Sequence, residues 1–169
     1  MARIFLIGFM GSGKTTMGKQ LASLLHYNFT DLDAYIEREE QATISQIFQQ
    51  EGEAYFRERE AHYLRTLVKQ EQLVVATGGG SPCYFDNMKW MNNHGITVYL
   101  EASVKMLADR LRNEKTQRPL LKDKSDQELV EFIRHKLSER SIFYNTAQFT
   151  AASASLNARK LKQLIAQHL

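Results

Sequence analysis

The chain has one cysteine, two prolines and one tryptophan among 169 residues. A lone cysteine, Cys83, excludes an intrachain disulfide and a cysteine-based metal framework. With so few prolines, no low-complexity tract and no repeat of solenoid length, neither a linker nor an array is expected. At 43% hydrophobic and 24% charged residues, the whole span 1–169 reads as a single domain with a full core. No apolar run approaches the ~20 residues of a membrane span. The amino terminus enters an apolar strand with no room for a signal peptide, so a cytoplasmic protein is expected. The histidines (His26, His62, His94, His135, His168) lack H-x-H or H-E-x-x-H spacing and read as ordinary surface or partly packed residues. A formal charge of +3 is too small and too interleaved to mark a nucleic-acid footprint. Stretches such as Glu37-Arg38-Glu39-Glu40 and Arg57-Glu58-Arg59-Glu60 read as solvated helix faces.

Against that background one stretch stands out. Gly8-Phe9-Met10-Gly11-Ser12-Gly13-Lys14-Thr15 reads G-x-x-x-x-G-K-[ST] directly after the apolar run Ile4-Phe5-Leu6-Ile7. The pattern is diagnostic when it follows a strand and opens a helix, and Met17, Leu21, Leu24 and Leu25 supply the helical face. Glycines let backbone N–H groups approach anionic oxygens, and the following helix adds free N–H groups and its dipole. Lys14 can reach β- and γ-phosphates, and the Thr15 hydroxyl is placed to ligate Mg²⁺. Nucleotide binding follows.

Tyr27-Asn28-Phe29-Thr30 predicts a second strand that ends in Asp31-Leu32-Asp33, whose carboxylates, two residues apart, would face the same way. One would hold Mg²⁺ and the other orient a hydroxyl nucleophile, unless either merely caps a turn or helix. A helix is predicted from Thr43 to a stop at Gly52, then a longer one with Phe56, Leu64, Leu67 and Val68 inward. On it Glu60 can pair with Arg57 at i, i+3, either as a surface ion pair or as a fixed guanidinium for a ligand. Leu73-Val74-Val75-Ala76-Thr77 suits the centre of a parallel sheet and ends in Gly78-Gly79-Gly80, where a ligand can approach the backbone. Cys83, three residues on, reads as a small half-buried side chain rather than a reactive thiol.

A helix capped by Asp86 and stopped near Gly95, a strand Ile96–Leu100 and a helix from Ser103 come next. The polar segment 112–124, interrupted by Arg118-Pro119-Leu120-Leu121, resembles a lid, with Arg118 closing over transferring phosphate. Ser125-Asp126-Gln127-Glu128 is a capping box for a helix that runs to Arg140. A fifth strand around Gln148–Ala151 and a last helix with Leu161, Leu164 and Ile165 complete an alternating α/β chain, which predicts a parallel sheet with helices on both faces.

Taken together, the Gly8–Thr15 loop, Asp31-x-Asp33, Phe56-Arg57-x-x-Glu60, Gly78-Gly79-Gly80, Arg118-Pro119-Leu120-Leu121 and Arg140 with Tyr144 resemble the shikimate kinases over nearly the whole chain. The resemblance implies a three-layer, nucleoside-monophosphate-kinase-like P-loop fold with a five-stranded parallel sheet, a shikimate-binding region at about 33–60 and a lid at about 112–124. It implies transfer of the ATP γ-phosphoryl group to the 3-hydroxyl of shikimate in aromatic amino-acid biosynthesis, with Mg²⁺ as cofactor. ATP and shikimate are the implied partners of a monomer that binds neither nucleic acid nor membrane. By the same resemblance Gly11, Ser12, Gly13, Lys14, Thr15, Thr16 and Arg118 would bind ATP, while Thr15 and Asp31 would hold Mg²⁺. Lys14, Asp33 and Arg118 would act in catalysis, and Asp33, Arg57, Gly79 and Arg140 would bind shikimate, the two arginines at its carboxylate.

Two positions depart from the family. The arginine expected seven residues before Arg118, near adenine, is Leu111, so the adenine contact is left between Arg110 and Arg112; and Thr146 stands where an acid is common. The rival readings are another small-metabolite kinase of this fold, for gluconate or a nucleoside monophosphate, and a nucleotide-dependent switch. The chain has no N-K-x-D guanine motif, and a switch has no use for Asp33, Arg57 and Arg140 in one pocket.

Overall fold

The protein is described from a computed structural model over residues 2–114 and 121–169. The run Ile4-Phe5-Leu6-Ile7 is apolar on both faces because it lies in β1 (Arg3–Ile7), the middle strand of a five-stranded parallel sheet. With β2 (Asn28–Asp31), β3 (Leu73–Ala76), β4 (Ile96–Glu101) and β5 (Phe149–Ala152), the sheet order is β2-β3-β1-β4-β5. The register pairs Phe5 with Val75 on one side and with Thr97 on the other. β3, expected at the centre, is one place off it; its four residues are nonetheless all buried.

Alternation along each strand divides the core into two layers. Ile4, Leu6, Val74 and Val98 face α1 (Lys14–Leu25) and α8 (Ala158–Ile165) through Leu21, Leu161 and Ile165. Leu164 of the last helix points outward, 41% exposed, so only two of its three expected apolar positions are core. Phe5, Ile7, Val75 and Tyr99 face the larger layer, which comprises α2 (Leu32–Glu40), α3 (Ile44–Gln50), α4 (Gly52–Thr66), α5 (Asn87–His94), α6 (Val104–Arg112) and α7 (Asp126–Tyr144).

The helix ends follow local chemistry, with three corrections. Thr43 and Ser125 form capping boxes with Gln46 and Glu128, and Ser103 caps α6. Gly52, at φ +85°, opens α4 rather than stopping α3, because the chain there needs a left-handed residue between two helices that share Glu51 as a cap. Asp86 precedes α5 without capping it through its side chain: its own backbone is left-handed, at φ 54°. α7 continues one turn past Arg140 to Tyr144, which is fully buried and therefore extends the helix by packing. Among the described residues no helix is long and apolar enough to cross a membrane. The expected lid begins on Arg112, still the last residue of α6, and its Arg118 lies outside the described residues.

Candidate active site

The phosphate-binding loop turns between the end of β1 and the start of α1. At Gly8, with φ +146°, a β-carbon would stand 2.8 Å from the Leu100 carbonyl oxygen, so a side chain there would push the loop off β4. Lys14 is the first residue of α1 and is buried; its Nζ donates to the Gly8 carbonyl at 2.7 Å and the Phe9 carbonyl at 2.9 Å. The cation is thereby held inside the loop, beside the helix N-terminus whose dipole favours an anion.

Thr15 donates its hydroxyl to Asp31 Oδ2 at 2.7 Å. Asp31 also caps α2, accepting from the Ala34 N–H at 3.3 Å, so capping and a place in the site coexist in one carboxylate. The pair offers hard oxygen donors of the kind Mg²⁺ takes alongside phosphate and water. The expectation that Asp31 and Asp33 share a strand is corrected: Asp31 ends β2 and Asp33 lies in the first turn of α2, because the Asp31 cap starts the helix at once. Both still line the same cavity.

That cavity, of about 810 Å³, extends along Gly11, Ser12, Gly13, Lys14, Thr15 and Thr16 to Asp31, Asp33, Gly78 and Gly79. Arg110, Ser153 and Leu156 line it as well. The Ser12 and Ser153 hydroxyl oxygens are buried with no hydrogen-bond partner among the described residues, polar atoms left for a ligand. Arg110 donates to the Gly11 carbonyl at 2.9 Å, whereas Arg112 pairs with Asp109 at 2.8 Å and Asp126 at 3.3 Å. Leu111, fully buried, packs under Gly11. Of the two candidate arginines, only Arg110 thus faces the loop.

The glycine turn after β3 is where the charged groups converge. A β-carbon on Gly78 would lie 3.0 Å from both Asp33 Oδ1 and Glu60 Oε1; one on Gly79 would lie 3.2 Å from an Arg140 nitrogen, and one on Gly80 2.6 Å from Arg57 Nη2. Burial first, then the nearby Glu60 and Asp31 carboxylates, push the Asp33 carboxyl up to about 6, against the pull of Lys14 and Arg57. Arg57 donates from Nη1 to Glu60 Oε2 at 2.9 Å, and Glu60 is fully buried with its other oxygen on the Ser81 hydroxyl. The pair is therefore not the exposed one that its charge-rich surroundings suggested. Neither Arg57 nor Arg140 lines the cavity: Arg140 lies behind Gly79, which does line it, and Arg57 lies behind Gly80, one residue further along the turn. Tyr144, one turn beyond Arg140, donates to the Gly79 carbonyl and ties α7 to the turn.

Burial pushes the Cys83 thiol up to about 11 despite Arg140 and Arg57 nearby, which fits an unreactive side chain. Glu40, expected on a solvated face, instead accepts from Arg59, Tyr63 and Tyr55 between α2 and α4. Burial alone would raise its pKa, but those bonds outweigh burial and hold the carboxyl below its usual range. The residues missed from sequence are Glu60 as a buried charge, and Ser153 and Leu156. The last two follow β5, and ligands gather at the carboxyl ends of parallel strands, a signal available for this strand as for β2 and β3.

A family model for shikimate kinase matches residues 10–169. A shikimate kinase of Bacteroides fragilis is 46% identical over 169 residues, covering 100% of this chain and 94% of that protein. The crystal structure of the Bacteroides thetaiotaomicron shikimate kinase superposes with a TM-score of 0.94 at 42% identity, over 98% of each chain. That of Acinetobacter baumannii shikimate kinase in complex with shikimate gives 0.87 at 39% identity, over 99% of this chain and 92% of the other. The phosphate loop, the paired aspartates and the glycine turn between two arginines thus occur on a chain matched to such enzymes almost from end to end: it belongs to the shikimate kinase family.

Proposed function

We propose that this site transfers the γ-phosphoryl group of ATP to the 3-hydroxyl of shikimate, giving shikimate 3-phosphate and ADP, with the roles divided as follows. The loop from Gly11 to Thr16 cradles the phosphates, and Lys14 offsets charge on the β- and γ-oxygens as the group departs. Arg110, Ser153 and Leu156, which line the same cavity, are assigned to the base of the nucleotide. Thr15 and Asp31, joined by a hydrogen bond, would hold Mg²⁺, which would neutralise phosphate charge. Asp33 orients the acceptor hydroxyl and takes its proton; a carboxyl at about 6 is largely ionised at neutral pH, yet basic enough for the task. Arg57, the Gly79 backbone and Arg140 hold the shikimate carboxylate across the glycine turn. Arg118 attends the transferring phosphoryl group as part of a lid at 112–124.

The observation that carries this reading is the placement of Asp33 between the Lys14 loop and the two arginines at Gly79 and Gly80. One end of the site suits a nucleoside triphosphate, the other a hydroxy acid. The enzyme is read as a monomer, and ATP as co-substrate fits a cytoplasmic one; 33–60 is its acceptor-binding region within one kinase domain, 1–169. ADP release measured with shikimate, gluconate and nucleoside monophosphates in turn tests the assignment. Release is expected with shikimate alone, and equal or greater release with another acceptor would overturn it.

A further inference from the structure

We infer that Tyr84 is a positioning residue for the acceptor: its ring fixes the plane of the Arg57 guanidinium so that the fork meets a carboxylate squarely. This rests on the reading of Arg57 as the carboxylate ligand and goes beyond it. Bidentate recognition needs two parallel N–H groups, and a guanidinium free to rotate about its long side chain presents them only part of the time.

Arg57 is held on several sides. Glu60 takes Nη1 at 2.9 Å, and Glu53 Oε1 lies 3.3 Å from both Nε and Nη2 along the opposite edge. The centre of the Tyr84 ring lies 4.4 Å from the guanidinium carbon, closer than the 5.1 Å of the neighbouring Phe56 ring. The Tyr84 hydroxyl donates to Glu53 Oε1 at 3.2 Å, so ring and edge carboxylate are tied together. A π-face over a cation both attracts it and shields its hydrogen bonds from water.

The backbone that delivers Tyr84 is unfavourable and firmly braced. Phe85 and Asp86 both take left-handed conformations, at φ 48° and 54°, which residues with a β-carbon rarely adopt. Arg65 holds this turn by donating to the Phe85 carbonyl at 2.7 Å and to Asn87 Oδ1 at 2.8 Å, while Asn87 Nδ2 donates to the Ser81 carbonyl at 2.9 Å. Strain kept in place by this many bonds points to what the turn presents, and what it presents is the tyrosine, partly exposed at 38%, over Arg57.

The test is steady-state kinetics on Tyr84→Ala and Tyr84→Phe. Tyr84→Ala is expected to raise the KM for shikimate about three- to tenfold, the range of a cation–π contact, with kcat and the KM for ATP within about twofold. Tyr84→Phe keeps the ring and is expected to stay within about twofold of the parent in all three. In an Arg57→Gln background the same alanine change should add less than about twofold, because its effect passes through the guanidinium. Should Tyr84→Ala fail to fold, Tyr84→Leu, which fills similar space without a π-face, is held to the same outcomes. An unchanged shikimate KM, a parallel rise in the KM for ATP, or full additivity with Arg57→Gln overturns the role of Tyr84. An unchanged shikimate KM in Arg57→Gln alone instead refutes the carboxylate assignment on which it stands.

Discussion

Replacing Arg57 with leucine should harm the protein in two separable ways. Glu60, 0% exposed and beside Asp33, loses its bonded cation. Breaking a buried pair from one side costs about 3–5 kcal/mol, mostly the penalty of the stranded charge. Loss of a charge-assisted contact to substrate costs a further 1.5–3 kcal/mol or so in the transition state, which is about a 10- to 150-fold fall in kcat/KM for shikimate. Adding Glu60→Gln to Arg57→Leu removes the stranded charge but cannot restore the fork. The double variant should therefore regain most of the stability while keeping the shikimate defect, with the KM for ATP near the parent's throughout. Urea unfolding measures the first effect and coupled ADP release the second, with Glu60→Gln alone as the control for changes at Asp33. If shikimate kcat/KM recovers together with stability, Arg57 is a structural partner of Glu60 and not a substrate ligand.

Lys14→Ala is expected to lower kcat at least about a hundredfold in a folded protein, because the buried ammonium is a preorganised charge at the β- and γ-oxygens; near-parent turnover would remove it from the reaction. Arg110→Ala should raise the KM for ATP while Arg112→Ala leaves it unchanged, since only Arg110 faces the loop; the reverse pattern would exchange them. Asp33→Asn should abolish turnover yet stabilise the free protein, as measured by urea unfolding without nucleotide or Mg²⁺. The folded pKa, about 6, lies above the ordinary 3.8, so the parent loses stability as pH rises through that interval. The gain from asparagine should be absent near pH 4 and complete above about pH 6, and at most about 2 kcal/mol, because Lys14 and Arg57 lose an anion. A stability difference independent of pH would show that Asp33 is not strained by its charge.

Much of the fold was legible because its signals are local. The strand–loop–helix at Gly8 to Leu25, the helix start at Thr43, the capping box at Ser125 and the apolar run of β3 each depend on a few adjacent residues. Sheet order was not, since β1 and β3 carry the same kind of apolar run and nothing in either states which is central. Asp33 illustrates a different limit: its site neighbours are as expected, but it lies in a helix rather than at a strand end, because the Asp31 cap, a single hydrogen bond, starts α2 at Leu32. Glu40 was misread because the charged run around it suggests solvent, whereas its partners Tyr55, Arg59 and Tyr63 come from the next-but-one helix.

Glu60 is the instructive error, because the information needed was present. Phe56, Leu64 and Leu67 mark the buried side of α4 and the turn after it, and Glu60 falls four residues after Phe56 and four before Leu64, in the middle of that stripe. Helical spacing therefore buries Glu60 whatever its charge. A carboxylate forced inward must find a cation or give up its proton, and Arg57, one turn back, is the near candidate. Reading charge composition before periodicity made the pair look solvated; reading periodicity first makes it a buried pair. The further consequence is chemical. A guanidinium drawn inward by Glu60 reaches the glycine turn at Gly80, beside Asp33, so the acid that reads as surface decoration is what aims the arginine at the acceptor.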